Sequence, residues 1–234
     1  MSKEIIGTKF RHEQKYLCND RDIIKLEAAV RSIMKQDRHA DEKGEYLIRS
    51  VYFDDYGDSC YWDNEDGNDP REKIRIRTYN CDREFIRLEC KRKEKGKTLK
   101  TSCVIDYETC MQILNTCVVP YRQNCDGLYN KLFLLNKTQG LRPKVLVEYK
   151  RAVYTEPLGN VRVTFDKYIS SSRDCMQLFE TNISKRPIMT AHYHIMEVKY
   201  DEFCPDVIFD SLQIGTLRET TFSKYYWCRK LLGR

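Results

Sequence analysis

Between Arg71 and Arg77 the chain reads REKIRIR, with cations at alternate positions and Ile74 and Ile76 among them. A strand sends successive side chains to opposite faces, so this spacing puts Arg71, Lys73, Arg75 and Arg77 on one face and the isoleucines on the other. The pattern recurs. FRHEQKY aligns Arg11, Glu13 and Lys15, and FIRLECKRK aligns Arg87, Glu89, Lys91 and Lys93. NVRVTFDKY sets Arg162, Thr164 and Asp166 opposite Val161, Val163 and Phe165, and HIMEVKY sets Glu197 and Lys199 opposite Met196, Val198 and Tyr200. A charged face pointing at water is the ordinary explanation of any one such strand. Five segments with Arg and Lys dominant imply instead that the charged faces converge on a concave interior and take a polyanion, because like charges on one face repel.

Elsewhere the period changes. Asn19 or Asp20 caps a predicted helix over 21–36, whose apolar stripe is Ile23, Ile24, Leu26, Val30, Ile33 and Met34. Strands are predicted over 9–17, 46–54, 71–79, 84–93, 98–104 and 193–200. KVLVEYKRAVY and NVRVTFDKY form a hairpin across TEPLGN, where Pro157 and Gly159 interrupt two β-branched runs. The stretch DDYGDSCYWDNEDGNDP reads as an acidic connection rich in turns. Helices are predicted over 106–116 and 126–137, just after Pro205, and over 221–232. Neither a repeat of fixed period nor a Ser, Gly or Pro linker divides the chain, so residues 1–234 read as a single α+β domain with one antiparallel sheet and peripheral helices.

Charge narrows the function. The 41 basic and 35 acidic residues leave a net charge of only +6, too mild for a nucleic-acid coat and suited to a local basic site. Tyr and Phe mostly share the apolar phase of the strands instead of alternating with cations as stacking platforms, so no nucleic-acid partner is expected. The eleven cysteines are odd in number and contain no C-x-x-C, which points to reduced thiols in the cytoplasm. His192 and His194 form an H-x-H with no third ligand nearby, weak grounds for zinc. MSKEIIGTKF turns charged at once and no apolar run reaches membrane-spanning length, so no membrane insertion is expected.

Taken in order, RHEQKY, YFD at 52–54, REKIRIRTY, RLECKRK, VEYKR, VRVTFD, IMEVKY and FSKYYW resemble the VTC-type polyphosphate polymerase domain, here in a free-standing form of prokaryotic type. The likeness runs from Phe10 to Trp227; each motif is weak alone, and eight in sequence are strong together. The resemblance implies the triphosphate tunnel fold, a closed eight-stranded antiparallel β-barrel lined with Lys, Arg and Glu. It also implies an ATP-dependent polymerase that moves the γ-phosphate of ATP onto a growing polyphosphate chain, with ATP and inorganic polyphosphate as partners. Carried over by position, Arg75, Arg77, Lys91, Arg151 and Arg162 grip the reacting phosphates, and Lys15, Lys73, Tyr149, Lys199, Ser223 and Lys224 bind substrate. Glu197 holds a divalent metal, manganese first and magnesium as the alternative.

These residue types suit that chemistry. Phosphoryl transfer asks a protein for positioning and charge neutralisation more than for a covalent nucleophile. Arginine forks bind phosphate oxygens in pairs, and lysine supplies point charges. An acceptor phosphate is already anionic, so no essential His or Cys is expected. Arg71 and Arg87 are expected at the rim, Lys93 and Lys100 are open between lining and rim, and Asp166 and Glu148 are expected to pair with lining cations. Glu89 reads equally as a second metal ligand or an ion-pair partner.

Two departures matter. Triphosphatases and adenylate cyclases of the same fold begin with E-x-E-x-K, whereas Arg11-His12-Glu13-Gln14-Lys15 has arginine at the first glutamate, favouring polymerase over hydrolase. Eukaryotic polymerase members carry lysine two residues before the serine of FSKYYW, where this chain has Thr221, which leaves that phosphate contact open. The alternatives are a tunnel triphosphatase and a non-catalytic module binding polyphosphate or an inositol phosphate. Glu197 separates the last from an enzyme, since an anion sensor has little use for a carboxylate in a cationic pocket.

Overall fold

A computed structural model of the chain describes residues 5–6, 9–37, 40, 44–213 and 216–233. The alternating segments form long strands: β2 (His12–Asn19), β4 (Glu45–Asp54), β5 (Arg71–Tyr79), β6 (Ile86–Glu94), β7 (Lys97–Ile105), β8 (Arg142–Glu156), β9 (Val161–Ser172) and β11 (Tyr193–Tyr200). Four two-residue strands join them: β1 (Ile5–Ile6), β3 (Lys35–Gln36), β10 (Arg186–Pro187) and β12 (Arg218–Glu219). All pair in one sheet ordered β1-β7-β6-β5-β4-β8-β9-β11-β2-β12, with β10 on β9 and β3 on β8. The predicted hairpin is β8–β9, and every pairing is antiparallel.

The sheet curls until its outer long strands approach each other, but it does not close. Among the described residues, the N-terminal end of β2 meets β7 at one bridge, where Arg11 and Thr98 exchange two backbone hydrogen bonds of 3.0 Å. Beyond it each edge takes a short strand instead: β1 pairs with Thr101 and Ser102 of β7, and β12 pairs with Tyr16 and Leu17 of β2. The expected closed eight-stranded barrel is therefore corrected to an open antiparallel half-barrel, because the edge groups that would have formed the closing ladder are already satisfied.

The helices are α1 (Asp20–Ile33), α2 (Ser59–Glu65), α3 (Tyr107–Thr116), α4 (Gly127–Gln139), α5 (Asp206–Ser211) and α6 (Lys224–Leu232). Asn19 and Asp22 form a reciprocal capping box that starts α1. This helix ends at Ile33, earlier than expected, and the chain continues into β3. α2 lies inside the segment read as turns; it buries only Tyr61 and has no side-chain cap, so no local signal announced it.

Convex and concave faces divide the labour. Ile74, Ile76, Ile86 and Leu88 pack outward against Cys110 and Ile113 of α3 and Leu128 and Leu132 of α4. Val163, Phe165, Met196 and Val198 pack outward against Ile23, Leu26 and Val30 of α1 and Ile208 of α5. The concave face is left to the charged rows, except where Tyr225, Tyr226 and Cys228 of α6 pack on Val145, Val147 and Tyr149 of β8. No helix among the described residues is long and apolar enough to cross a membrane.

Candidate active site

The charged rows enclose a cavity of about 420 Å³. Every site residue expected from the sequence lines it: Lys15, Lys73, Arg75, Arg77, Lys91, Tyr149, Arg151, Arg162, Glu197, Lys199, Ser223 and Lys224. Arg71 and Arg87, expected at the rim, line it too, as do Lys93 and Lys100. Fifteen Lys and Arg side chains face three Glu among the described lining residues, an excess of positive charge suited to an anionic occupant.

Carboxylates organise these cations into three groups. Glu89, 1% exposed, receives Arg75 at 2.6 Å, Lys100 at 3.0 Å and Arg77 at 3.6 Å. Burial alone would raise its pKa, but Arg77, Arg75 and Lys100 outweigh burial and hold it well below the usual carboxylate range. Glu89 is thus an ion-pair hub. Asp166 binds both guanidinium arms of Arg151, at 2.5 and 2.7 Å, and Lys224 of α6 at 2.5 Å. Burial opposes its ionisation, yet Arg151 and Lys224 bring its pKa down to about 2.

Glu13 and Glu197 make the third group. Glu13 holds Lys91 at 2.5 Å, Lys15 at 3.3 Å and Lys199 at 3.7 Å. Glu197 holds Lys199 at 3.2 Å, Arg151 at 3.7 Å and Lys15 at 3.8 Å. Burial and the neighbouring Glu197 push the Glu13 pKa up, but Lys91, Lys199 and Lys15 prevail and leave it at about 2. Glu148 goes elsewhere: it pairs with Arg49 at 2.7 Å and with Lys185, none of which lines the cavity, so the expectation that it pairs with lining cations is not met.

One end of the cavity has cations without such partners. Cross-strand register sets Arg71 opposite Lys93, Lys73 opposite Lys91, and Lys91 opposite Lys100. Like charges directly opposite destabilise a sheet; Glu13 offsets this for Lys91 and Glu89 for Lys100, which leaves Lys73 and the Arg71–Lys93 pair uncompensated. Arg71, Lys73 and Lys93 have no carboxylate at ion-pair distance among the described residues. Lys73 instead donates to Asn64 Oδ1 at 2.6 Å and Ser223 Oγ at 2.9 Å. Burial, reinforced by Arg71, Lys15 and Lys91, pushes its pKa down to about 7.

A family profile described as the VTC domain matches residues 10–232. The chain belongs to the VTC domain family. Solved structures similar to this VTC domain share its fold. One is a Bacillus halodurans protein described as a candidate adenylate cyclase, 15% identical at a TM-score of 0.51 over 89% of this chain and 88% of that one. Another is a Hippeastrum protein named for adenylyl cyclase and described as having a dominant triphosphatase activity, 11% identical at a TM-score of 0.53 over 95% of this chain and 96% of that one. A search of curated proteins returned no match to the chain.

Two features of this VTC domain were not assigned from the sequence. Glu13 stood on the correct strand face, but its convergence with Glu197 depends on β2 pairing with β11, which sets Lys15 opposite Glu197 and Glu13 opposite Lys199. Asp54, fully buried, closes YFD; it accepts from the backbone N–H of Asp55 at 2.9 Å, Cys60 at 2.9 Å and Tyr61 at 3.2 Å, and from the Tyr225 hydroxyl. It thereby docks α6, whose N-cap is Ser223 and whose first residue is Lys224. The N-terminus of that helix, with its free N–H groups and positive dipole end, is itself suited to phosphate.

For a divalent ion, no group of three His, Cys, Asp or Glu side chains converges among the described residues. Glu13 and Glu197 do converge, and both line the cavity. Two hard carboxylates in a cavity rich in cations fit an ion that takes its remaining ligands from an anionic occupant and water.

Proposed function

We propose that this VTC domain is an ATP-dependent polyphosphate polymerase. The observation that carries the reading is the inward-facing excess of Lys and Arg, arranged along a cavity and not spread over the surface. In the proposed reaction an oxygen of the terminal phosphate of the acceptor chain forms a bond to the γ-phosphorus of ATP. The bond from that phosphorus to the β–γ bridging oxygen breaks, and ADP leaves. Arg75, Arg77, Arg151 and Arg162 neutralise nonbridging oxygens, while Lys15, Lys73, Lys91, Lys199, Ser223 and Lys224 hold the phosphates in line. Glu197 and Glu13 would hold a divalent ion, manganese first and magnesium second. Bound there, such an ion supplies further charge neutralisation at phosphate oxygens.

Two observations favour transfer to phosphate over transfer to water. Arg11, in place of a first glutamate, pairs with Asp201 at 2.9 Å and brings no carboxylate inside. Glu13 and Glu197 inside the cavity are held by cations, and a group such as Glu13, with its pKa at about 2, is a poor base for activating water. A cytoplasmic location belongs to this reading, because none of the eleven cysteines forms a disulfide.

The test is incubation of the purified protein with ATP and manganese, followed by a polyacrylamide gel stained for polyphosphate. A ladder of product that disappears in Glu197→Gln and Arg75→Ala supports the polymerase. Free phosphate without a ladder identifies a hydrolase, and tight polyphosphate binding without turnover identifies a binding module.

A further inference from the structure

A second cavity, of about 850 Å³, lies on the other side of the segment joining β12 to α6. Ile188, Tyr193, Phe222 and Trp227 are among the residues that line it. Glu219, Thr220 and Thr221 line both this groove and the cationic cavity, so one stretch of chain is their common wall. That wall stands at the open seam of the half-barrel, where the Thr220 N–H donates to the carbonyl of Lys15 at 2.8 Å.

We propose that this groove takes the nucleobase of ATP, an inference that rests on the polymerase reading, in which the triphosphate fills the cationic cavity. A nucleoside triphosphate has a polyanionic part and a flat heteroaromatic part, and the cationic cavity serves only the first. Of the five rings that line it, Tyr52, Tyr149 and Tyr225 are each at most 6% exposed with their hydroxyls engaged by Arg75, Arg77 and Asp54, Tyr79 packs against Tyr46 and Phe85, and His12 stacks on Tyr200 at 5.0 Å. With these rings already engaged by protein partners, the base is assigned to the groove across the wall that the two cavities share.

Its chemistry matches as well. Trp227 is 37% exposed and stacks on Phe222, with ring centroids 6.1 Å apart and planes 14° apart, while Tyr226 meets it edge-on and the Lys230 ammonium lies 5.6 Å from its centroid. Tyr193 is 41% exposed beside it. Bases stack on such rings whatever their identity, while the hydroxyls of Thr190 and Thr221 supply polar partners for a base edge or ribose. The volume falls within the ~300–1,000 Å³ of small-molecule sites.

The chain has two tryptophans, and Trp62 lines neither cavity, so Trp62→Phe leaves Trp227 as the sole tryptophan reporter. In that variant, titration with ATP is expected to change Trp227 fluorescence, whereas inorganic tripolyphosphate binds without doing so. Trp227→Ala should weaken ATP binding by roughly ten- to a hundred-fold and leave tripolyphosphate binding as it was. Tyr193→Ala provides the same comparison at a second exposed position. If tripolyphosphate binds and the two ligands respond identically in all three variants, the nucleobase site is overturned while the phosphate cavity stands. If neither ligand binds, the phosphate reading itself fails and takes this inference with it.

Discussion

Lys73 and Ser223, 150 residues apart in the chain, meet at 2.9 Å between Nζ and Oγ. The contact ties the middle of β5 to the N-cap of α6, so the strand cations and the helix N-terminus face one point in the cavity. No carboxylate neutralises this lysine among the described residues, and its lowered pKa records that strain.

The pH dependence of binding follows from the sign of that shift. With its pKa at about 7 in the free protein, Lys73 is largely neutral above neutrality, and a phosphate chain beside it draws the proton back. Affinity for tripolyphosphate is then full below about pH 7 and declines as pH rises through the bound-state value. Calorimetry in buffers of different ionisation enthalpy should detect proton uptake at about pH 8 that is smaller in Lys73→Met. Equal uptake by both proteins would rule Lys73 out as its source.

Glu89→Gln removes the counter-charge of three cations at once. Breaking a buried ion pair from one side costs about 3–5 kcal/mol, so a large fall in thermal stability is expected. Tripolyphosphate should restore much of it by replacing the lost charge, read as a greater ligand-induced rise in Tm than in the parent protein. A variant that unfolds early and gains nothing from the anion would contradict the assignment of Glu89 as a hub for phosphate-binding cations.

Arg71 and Lys93 face each other across β5 and β6, cation to cation. Replacing Lys93 with Ala should stabilise the ligand-free protein by about 0.2–1 kcal/mol, since a direct like-charge pair is relieved. The same change should weaken polyphosphate binding. Urea unfolding and a binding titration on one preparation check both signs, and loss of stability in the variant would show that the pair is not repulsive.

Asp54 lies behind the wall of the cavity, so its effect there is indirect. Asp54→Asn should destabilise the fold by about 1–3 kcal/mol, because Asn cannot accept all four hydrogen bonds that the buried carboxylate takes. Tyr225→Phe, which removes the link to Asp54 and the bond accepted from Arg229 at 3.3 Å, should be milder, at about 0.5–1.5 kcal/mol. If α6 positioning matters, Tyr225→Phe should also weaken tripolyphosphate binding while the salt dependence conferred by the strand cations persists. Unchanged affinity would separate Asp54 from the site.

Much of the site was legible because strand alternation is a local rule. REKIRIR and RLECKRK assign Arg71, Lys73, Arg75, Arg77, Arg87, Lys91 and Lys93 to one face whatever the strands pair with, and those cations line the cavity. The helix α1 was legible for the same reason, its cap and stripe lying within a few turns. By contrast, α2 was hidden in an acidic stretch whose single buried residue, Tyr61, is held by contacts with Asp54 and Tyr226 that no local pattern encodes.

What the sequence by itself determined is the side of each strand that carries charge, the sign of that charge, and the capped start of α1. Only the tertiary structure decided which carboxylate serves which cation, with Glu89 given to Arg75, Arg77 and Lys100, and Asp166 shared between Arg151 and Lys224. It also decided that the sheet stays open beside β12 and leaves a wall common to two cavities. The physical reason is range. Side-chain direction repeats every two residues along one strand, whereas charge sharing and edge closure depend on which distant segments the register brings side by side.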